Sequence, residues 1–97
     1  MLEINKDNFT KEVLEQDLVL VDFNATWCGP CRMLKPVLEE LASDYKIVSI
    51  DVDNNMEIAR EYGIMTIPCL IVFKNGKEVS RSVGLKGKED IIAMMEE

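Results

Sequence analysis

The sequence predicts an α/β fold: a mixed central β-sheet in the order βαβαβαββα with helices on both faces. Three observations carry this. Leu18–Asn24 (LVLVDFN) opens on a continuous apolar run interrupted by Asp22, as a strand covered on both sides would. Leu34, Val37, Leu38, Leu41, Ala42 and Tyr45 recur at helical spacing directly after it. Asn75-Gly76 sits between two β-rich runs, the strongest short hairpin signal, and pairs the last two strands antiparallel.

The elements follow in order. Leu2–Ile4 reads as a first edge strand, and Asn8 as the cap of a helix reaching Leu14, with Phe9, Val13 and Leu14 on one face. After Leu18–Asn24 comes a helix over Cys31–Tyr45, which Pro36 should kink. Ile47–Val52 is the next strand, and Ile58–Tyr62 a short helix stopped by Gly63. Cys69–Lys74 and Glu78–Val83 form the hairpin, and a final helix after Gly84 carries Ile91, Ile92, Met94 and Met95. At 97 residues and 47% apolar content, the chain is expected to form a single domain spanning residues 1–97 with a core of its own.

Charge and composition narrow the chemistry. Eighteen acidic against eleven basic residues give a net charge of −7. That surface repels nucleic acid and anionic lipid, and no cluster of Lys or Arg offers a local exception. The longest apolar runs, Leu18–Val21 and Cys69–Phe73, fall far short of the roughly 18 residues that cross a membrane. The first nine residues lack the apolar centre of a signal peptide, so a soluble cytoplasmic protein is expected. Histidine is absent, which removes Ser-His and Cys-His catalysis and zinc–histidine sites together. Thiols, carboxylates and lysines remain.

Three cysteines are too few for a disulfide scaffold. Two of them lie in Trp27-Cys28-Gly29-Pro30-Cys31, where a buried strand hands over to a helix. Residues three apart on a helix have Cα atoms about 5 Å apart. A disulfide needs roughly 4.4–6.8 Å, so this pair can close and open with little backbone movement. Pro30 fixes φ and needs no amide partner in a first helical turn, and Gly29 admits a tight entry. Cys28 then meets the unpaired amides of the helix N-terminus, which favour a thiolate. Lowering a thiol pKa from about 8.5 to about 7 raises the thiolate fraction at neutral pH roughly 16-fold. The fall in intrinsic nucleophilicity takes back about fivefold, leaving a rate gain near threefold. Zinc is disfavoured on ligand count, because Cys69 supplies at most a third ligand and no metal is expected. Redox use of the pair is the better reading.

Trp27–Cys31 (WCGPC) after VDF, then Pro36, Ile67-Pro68, Phe73-Lys74-Asn75-Gly76 and Gly84, occur in order across essentially the whole chain. In these motifs the sequence resembles the thioredoxin family. The resemblance implies the thioredoxin fold and a protein-disulfide reductase working by dithiol–disulfide exchange. Cys28 would be the nucleophile and Cys31 the resolving thiol. Asp22 would be the buried carboxylate that accepts the Cys31 proton; from the residues alone a solvated strand-end Asp capping the next loop is an equal reading. Pro68 would follow a cis peptide. Thr66, Ile67 and Pro68 would contact substrate, together with Trp27, Gly29, Pro30 and the Gly84 loop, although Trp27 also reads as a partly buried core aromatic. Arg32 and Lys35 read as solvated helix positions.

The same resemblance implies a monomer with no bound cofactor, acting on disulfide-containing proteins and recycled by a thioredoxin reductase. Flavin and NADPH or ferredoxin would belong to that reductase. Two other readings stand beside this one: a redox donor dedicated to one partner, and a non-catalytic docking scaffold.

The chain departs from the family pattern at three positions. Asn24 stands where a second tryptophan is usual. Ser49 replaces a lysine that usually neighbours the buried carboxylate, which should leave Asp22 easier to protonate. Cys69 replaces the usual threonine after the proline and is expected near the cysteine pair. It reads first as a small buried hydrophobe, and more sharply as a third thiol that intercepts Cys31.

Overall fold

A computed structural model describes residues 1–97. Strands β1 (Leu2–Glu3), β2 (Leu18–Asn24), β3 (Ile47–Asp51), β4 (Cys69–Lys74) and β5 (Lys77–Val83) form one sheet in the order β1-β3-β2-β4-β5. β1 and β2 both run parallel to β3, whereas β4 pairs antiparallel with β2 and with β5. Helices α1 (Gly29–Leu41), α2 (Met56–Glu61) and α3 (Lys88–Met95) complete the order expected from the sequence, with a π-helical turn at Thr10–Leu14 in place of the first helix.

Strand alternation sorts the core into two layers. On one face Val19, Val21 and Phe23 of β2 and Cys69, Ile71 and Phe73 of β4 pack against Phe9, Val13 and Ile58. Tyr62 joins this layer, meeting Phe9 edge-on at 5.6 Å and Phe73 at 5.5 Å between ring centroids. On the other face Leu20, Leu70 and Val72 meet Leu34, Leu38 and Leu41 of α1 and Ile91, Met94 and Met95 of α3. Each fully buried aliphatic or aromatic side chain stabilises the fold by about 1.5–3 kcal/mol.

Several boundaries differ from the sequence reading, each for a local reason. Asn8 does not cap a helix. Its Oδ1 accepts from the Asn5 N–H at 2.9 Å, and Asn5 Oδ1 accepts from the Asp7 N–H at 2.8 Å, so the Asx chemistry builds the turn before the helical segment. α1 starts two residues earlier than expected, with Cys28 as its cap and Gly29-Pro30 in its first turn, and it ends at Leu41. Tyr45 keeps its place through a bond from its N–H to the Leu41 carbonyl. Pro36 lies inside α1 on its exposed side. α2 starts at Met56 and ends before Gly63, whose φ is +64°.

The hairpin turn is built as its dipeptide predicts. Asn75 and Gly76 have φ of +52° and +82°, the conformation of a two-residue type I′ loop. Gly76 is needed twice over, because a Cβ there would lie 2.7 Å from the Leu14 carbonyl oxygen.

Candidate active site

β2, the central strand, ends at Asn24, and Ala25–Trp27 carries the chain past its C-terminal end into α1. The Cys28 N–H donates to the Ala25 carbonyl, closing that loop. Cys28 is the N-cap of α1 and Cys31 lies in its first turn, which sets their Cα atoms 5.2 Å apart and joins them in a disulfide. The Cys31 backbone N–H donates to Cys28 Sγ at 3.2 Å. The two sulfurs are therefore not equivalent: an amide hydrogen at the helix N-terminus favours negative charge on Cys28 once the bond is reduced. Cys28 and Cys31 are 4% and 5% exposed and pack with Ala25, Val52 and Ile67.

The loop before β4 forms the facing wall. Ile67–Pro68 is a cis peptide, as the resemblance implied. The Ile67 carbonyl oxygen lies 4.0 Å from Cys28 Sγ, Thr66 is exposed, and Pro68 is buried. Gly84, with φ of +92°, donates its N–H to the Pro68 carbonyl at 2.8 Å, which brings the Gly84 loop beside the Ile67–Pro68 loop. Trp27 is 66% exposed, so it is not a core aromatic. Its indole N–H donates to Asp53 Oδ2 at 2.7 Å, tying the cysteine loop to the segment after β3.

Asp22 is 3% exposed on the face of the sheet beneath α1, which disposes of the solvated reading. Burial pushes its carboxyl up to about 6, and a hydrogen bond from Asn24 works against that rise. Asp22 and Cys31 line a common cavity of about 180 Å³, together with Asn24, Ser49 and Asp51. Arg32 and Lys35 lie along its rim on exposed turns of α1. Arg32 donates to the Thr26 carbonyl at 2.9 Å, so it also supports the loop.

Cys69 is the small buried hydrophobe of the first reading. It pairs with Phe23 across β2 and β4 and packs in the aromatic layer, not in the cluster that holds Cys28 and Cys31. It is a free, buried thiol whose pKa is raised mainly by burial.

Sequence reasoning passed over Asp51 and Asp53. Asp51 accepts from the Asp53 N–H at 2.9 Å and from the Asn54 amide at 3.1 Å, shaping the turn that presents Asp53 to Trp27. The acidic run Asp51-Val52-Asp53 following a strand is the signal available for it. It also treated Asn24 and Ser49 as unrelated departures, whereas they touch: the Asn24 amide donates to Ser49 Oγ at 2.6 Å.

Comparison with known proteins agrees with this geometry. The sequence matches the family model described as Thioredoxin over residues 1–97. It is 48% identical to a thioredoxin of Chlamydia muridarum (strain MoPn / Nigg) over 95 residues, covering 95% of this chain and 92% of that protein. It is 45% identical to a thioredoxin of Staphylococcus aureus (strain Mu50 / ATCC 700699) over 100 residues, covering 99% and 95%. Among solved structures, a point mutant of thioredoxin from Halobacterium salinarum NRC-1 superposes with a TM-score of 0.93 at 37% identity, covering 98% of this chain and 87% of that one. The chain belongs to the thioredoxin family, oxidoreductases that act by dithiol–disulfide exchange, and Cys28 and Cys31 are its disulfide pair.

Proposed function

We propose that the protein is a general reductase of protein disulfides in which Cys28 attacks and Cys31 resolves. The observation that carries the reading is the amide hydrogen of Cys31 held against Cys28 Sγ at 3.2 Å. The Cys28 thiolate displaces one sulfur of the client disulfide, which leaves as a thiolate and takes a proton from solvent. Cys31 then loses its proton to Asp22 and attacks Cys28 Sγ, and the second client sulfur leaves. Two electrons pass to the client, and the Cys28–Cys31 disulfide remains. The second attack is intramolecular, so proximity accelerates it without any gain in acidity.

The client backbone is read as adding to the exposed edge at Thr66 and Ile67, a form of strand addition. Trp27, Gly29, Pro30, Pro68 and the Gly84 loop would form the remaining contact surface. A thioredoxin reductase would restore the dithiol. We place the protein in the cytoplasm as a monomer, since a recycled dithiol works against a reducing pool. A net charge of −7 fits brief encounters with partners carrying basic patches.

Insulin reduction driven by dithiothreitol tests the reading, followed by an assay coupled to candidate reductases. The parent protein is expected to accelerate precipitation of the insulin B chain, and Cys28→Ser to lose that acceleration. An unaffected Cys28→Ser variant would identify a docking scaffold instead.

A further inference from the structure

The Asn24 amide nitrogen has three acceptors within reach: Asp22 Oδ2 at 3.1 Å, the Asp22 carbonyl at 3.0 Å and Ser49 Oγ at 2.6 Å. Two hydrogens serve three acceptors, so the amide is held from both sides. Its partner is unevenly satisfied. Asp22 Oδ2 has a donor, whereas Oδ1 is fully buried with none. The parallel register sets Ser49 directly beside Asp22, and Asn24 lies two residues along the same face of β2.

We infer that Asn24, braced by Ser49, is a positioning residue for the exchange reaction: it ties Asp22 Oδ2 and leaves Oδ1 as the atom that takes the Cys31 proton. This rests on the reading of Asp22 as the proton acceptor. A neutral amide, not a charged group, does the tying. The carboxyl therefore stays high enough, at about 6, to exchange protons close to neutral pH.

Other charged groups border the cavity on every side. Glu3 and the Met1 end come from β1, Asp51 from β3, and Arg32 and Lys35 from α1. Arg32 is committed to the Thr26 carbonyl, and Lys35 lies 4.0 Å from Glu39. β4 sets apolar Leu70 opposite Asp22, and α3 adds Ile91 and Met94 to that face. None of these groups acts appreciably on Asp22, whose proton affinity is set by burial and by Asn24.

The test follows the Asp22 carboxyl by carbon-13 NMR in the reduced protein, beside single-turnover release of a client from its mixed disulfide across neutral pH. In Asn24→Ala the carboxyl midpoint is expected to rise by about one pH unit, the worth of one hydrogen bond to a charged group. The midpoint of release should rise with it, with client affinity unchanged. Release at pH 7 should fall about twofold, following the ionised fraction of Asp22. Alanine also admits solvent, which alone would lower the midpoint. A fall or a standstill in both Asn24→Ala and Asn24→Leu, the second of which keeps solvent out, overturns the inference. Asn24→Leu, which keeps the amide's volume and has no donor, carries the same test if the alanine variant does not fold. A carboxyl midpoint that rises while release keeps its own profile would uphold Asn24's hold on Asp22 and remove Asp22 from resolution.

Discussion

The backbone N–H of Cys31 points at the sulfur of Cys28, 3.2 Å away, so one cysteine supplies the hydrogen that stabilises charge on the other. This asymmetry gives the pair a direction. Replacing Cys31 by serine keeps that backbone hydrogen and removes the resolving thiol. Cys31→Ser is expected to accumulate clients joined to Cys28, visible by mass spectrometry after thiol quenching. Cys28→Ser should accumulate far fewer, and equal trapping by both variants would contradict the assignment.

Asp22 should make the fold less stable as pH rises. In the folded protein its carboxyl holds a proton to about 6, above its ordinary value of 3.8. Between those values the folded state binds more protons than the unfolded one, so stability falls with rising pH. The full loss above that window is on the order of 3 kcal/mol. Asp22→Asn removes the buried charge. It should exceed the parent in urea midpoint near neutral pH and lose that advantage in acid. A gap that does not change with pH would mean that Asp22 ionises as readily folded as unfolded.

Cys69 should be silent under native conditions. It is 1% exposed and burial raises its pKa, so little reactive thiolate forms. The oxidised protein is expected to show no fast-reacting thiol until guanidine exposes one. Peptide mapping after mild oxidation should find Cys28 linked to Cys31 alone. Any Cys31–Cys69 linkage would revive the third-thiol reading.

Gly76→Ala should destabilise the hairpin by about 1–3 kcal/mol, through its positive φ and the close approach of the Leu14 carbonyl. Urea unfolding measures the loss. Exchange activity of the folded fraction should remain, because the turn does not border the cysteine cluster. A wild-type midpoint would show that the turn relaxes into another form.

Much of the scaffold is legible because local and global signals agree. The apolar stretch of Leu18–Asn24, the helical period after Cys31 and the Asn75-Gly76 turn each name their element unaided. The helical segment ending at Leu14 is legible, but its cap is not, because Asn5 and Asn8 serve a turn and side-chain competition for backbone groups is not visible in periodicity. Cys69 is legible as a small buried hydrophobe, but which layer it joins depends on the strand pairing. Alternation along β4 turns it to the face of Ile71 and Phe73. The contact of Asn24 with Ser49 lies 25 residues apart in sequence, and the register of β2 on β3 is what creates it.

The exposed Trp27 is the sole indole in the chain, one peptide bond from Cys28 and moored to Asp53. With Asn24 in place of a second ring, no other tryptophan contributes to the emission. Excited at wavelengths that Tyr45 and Tyr62 do not absorb, the molecule thus carries a single intrinsic lamp beside its sulfurs. Its brightness reports on the working loop alone, whether a client is docking or electrons are changing hands.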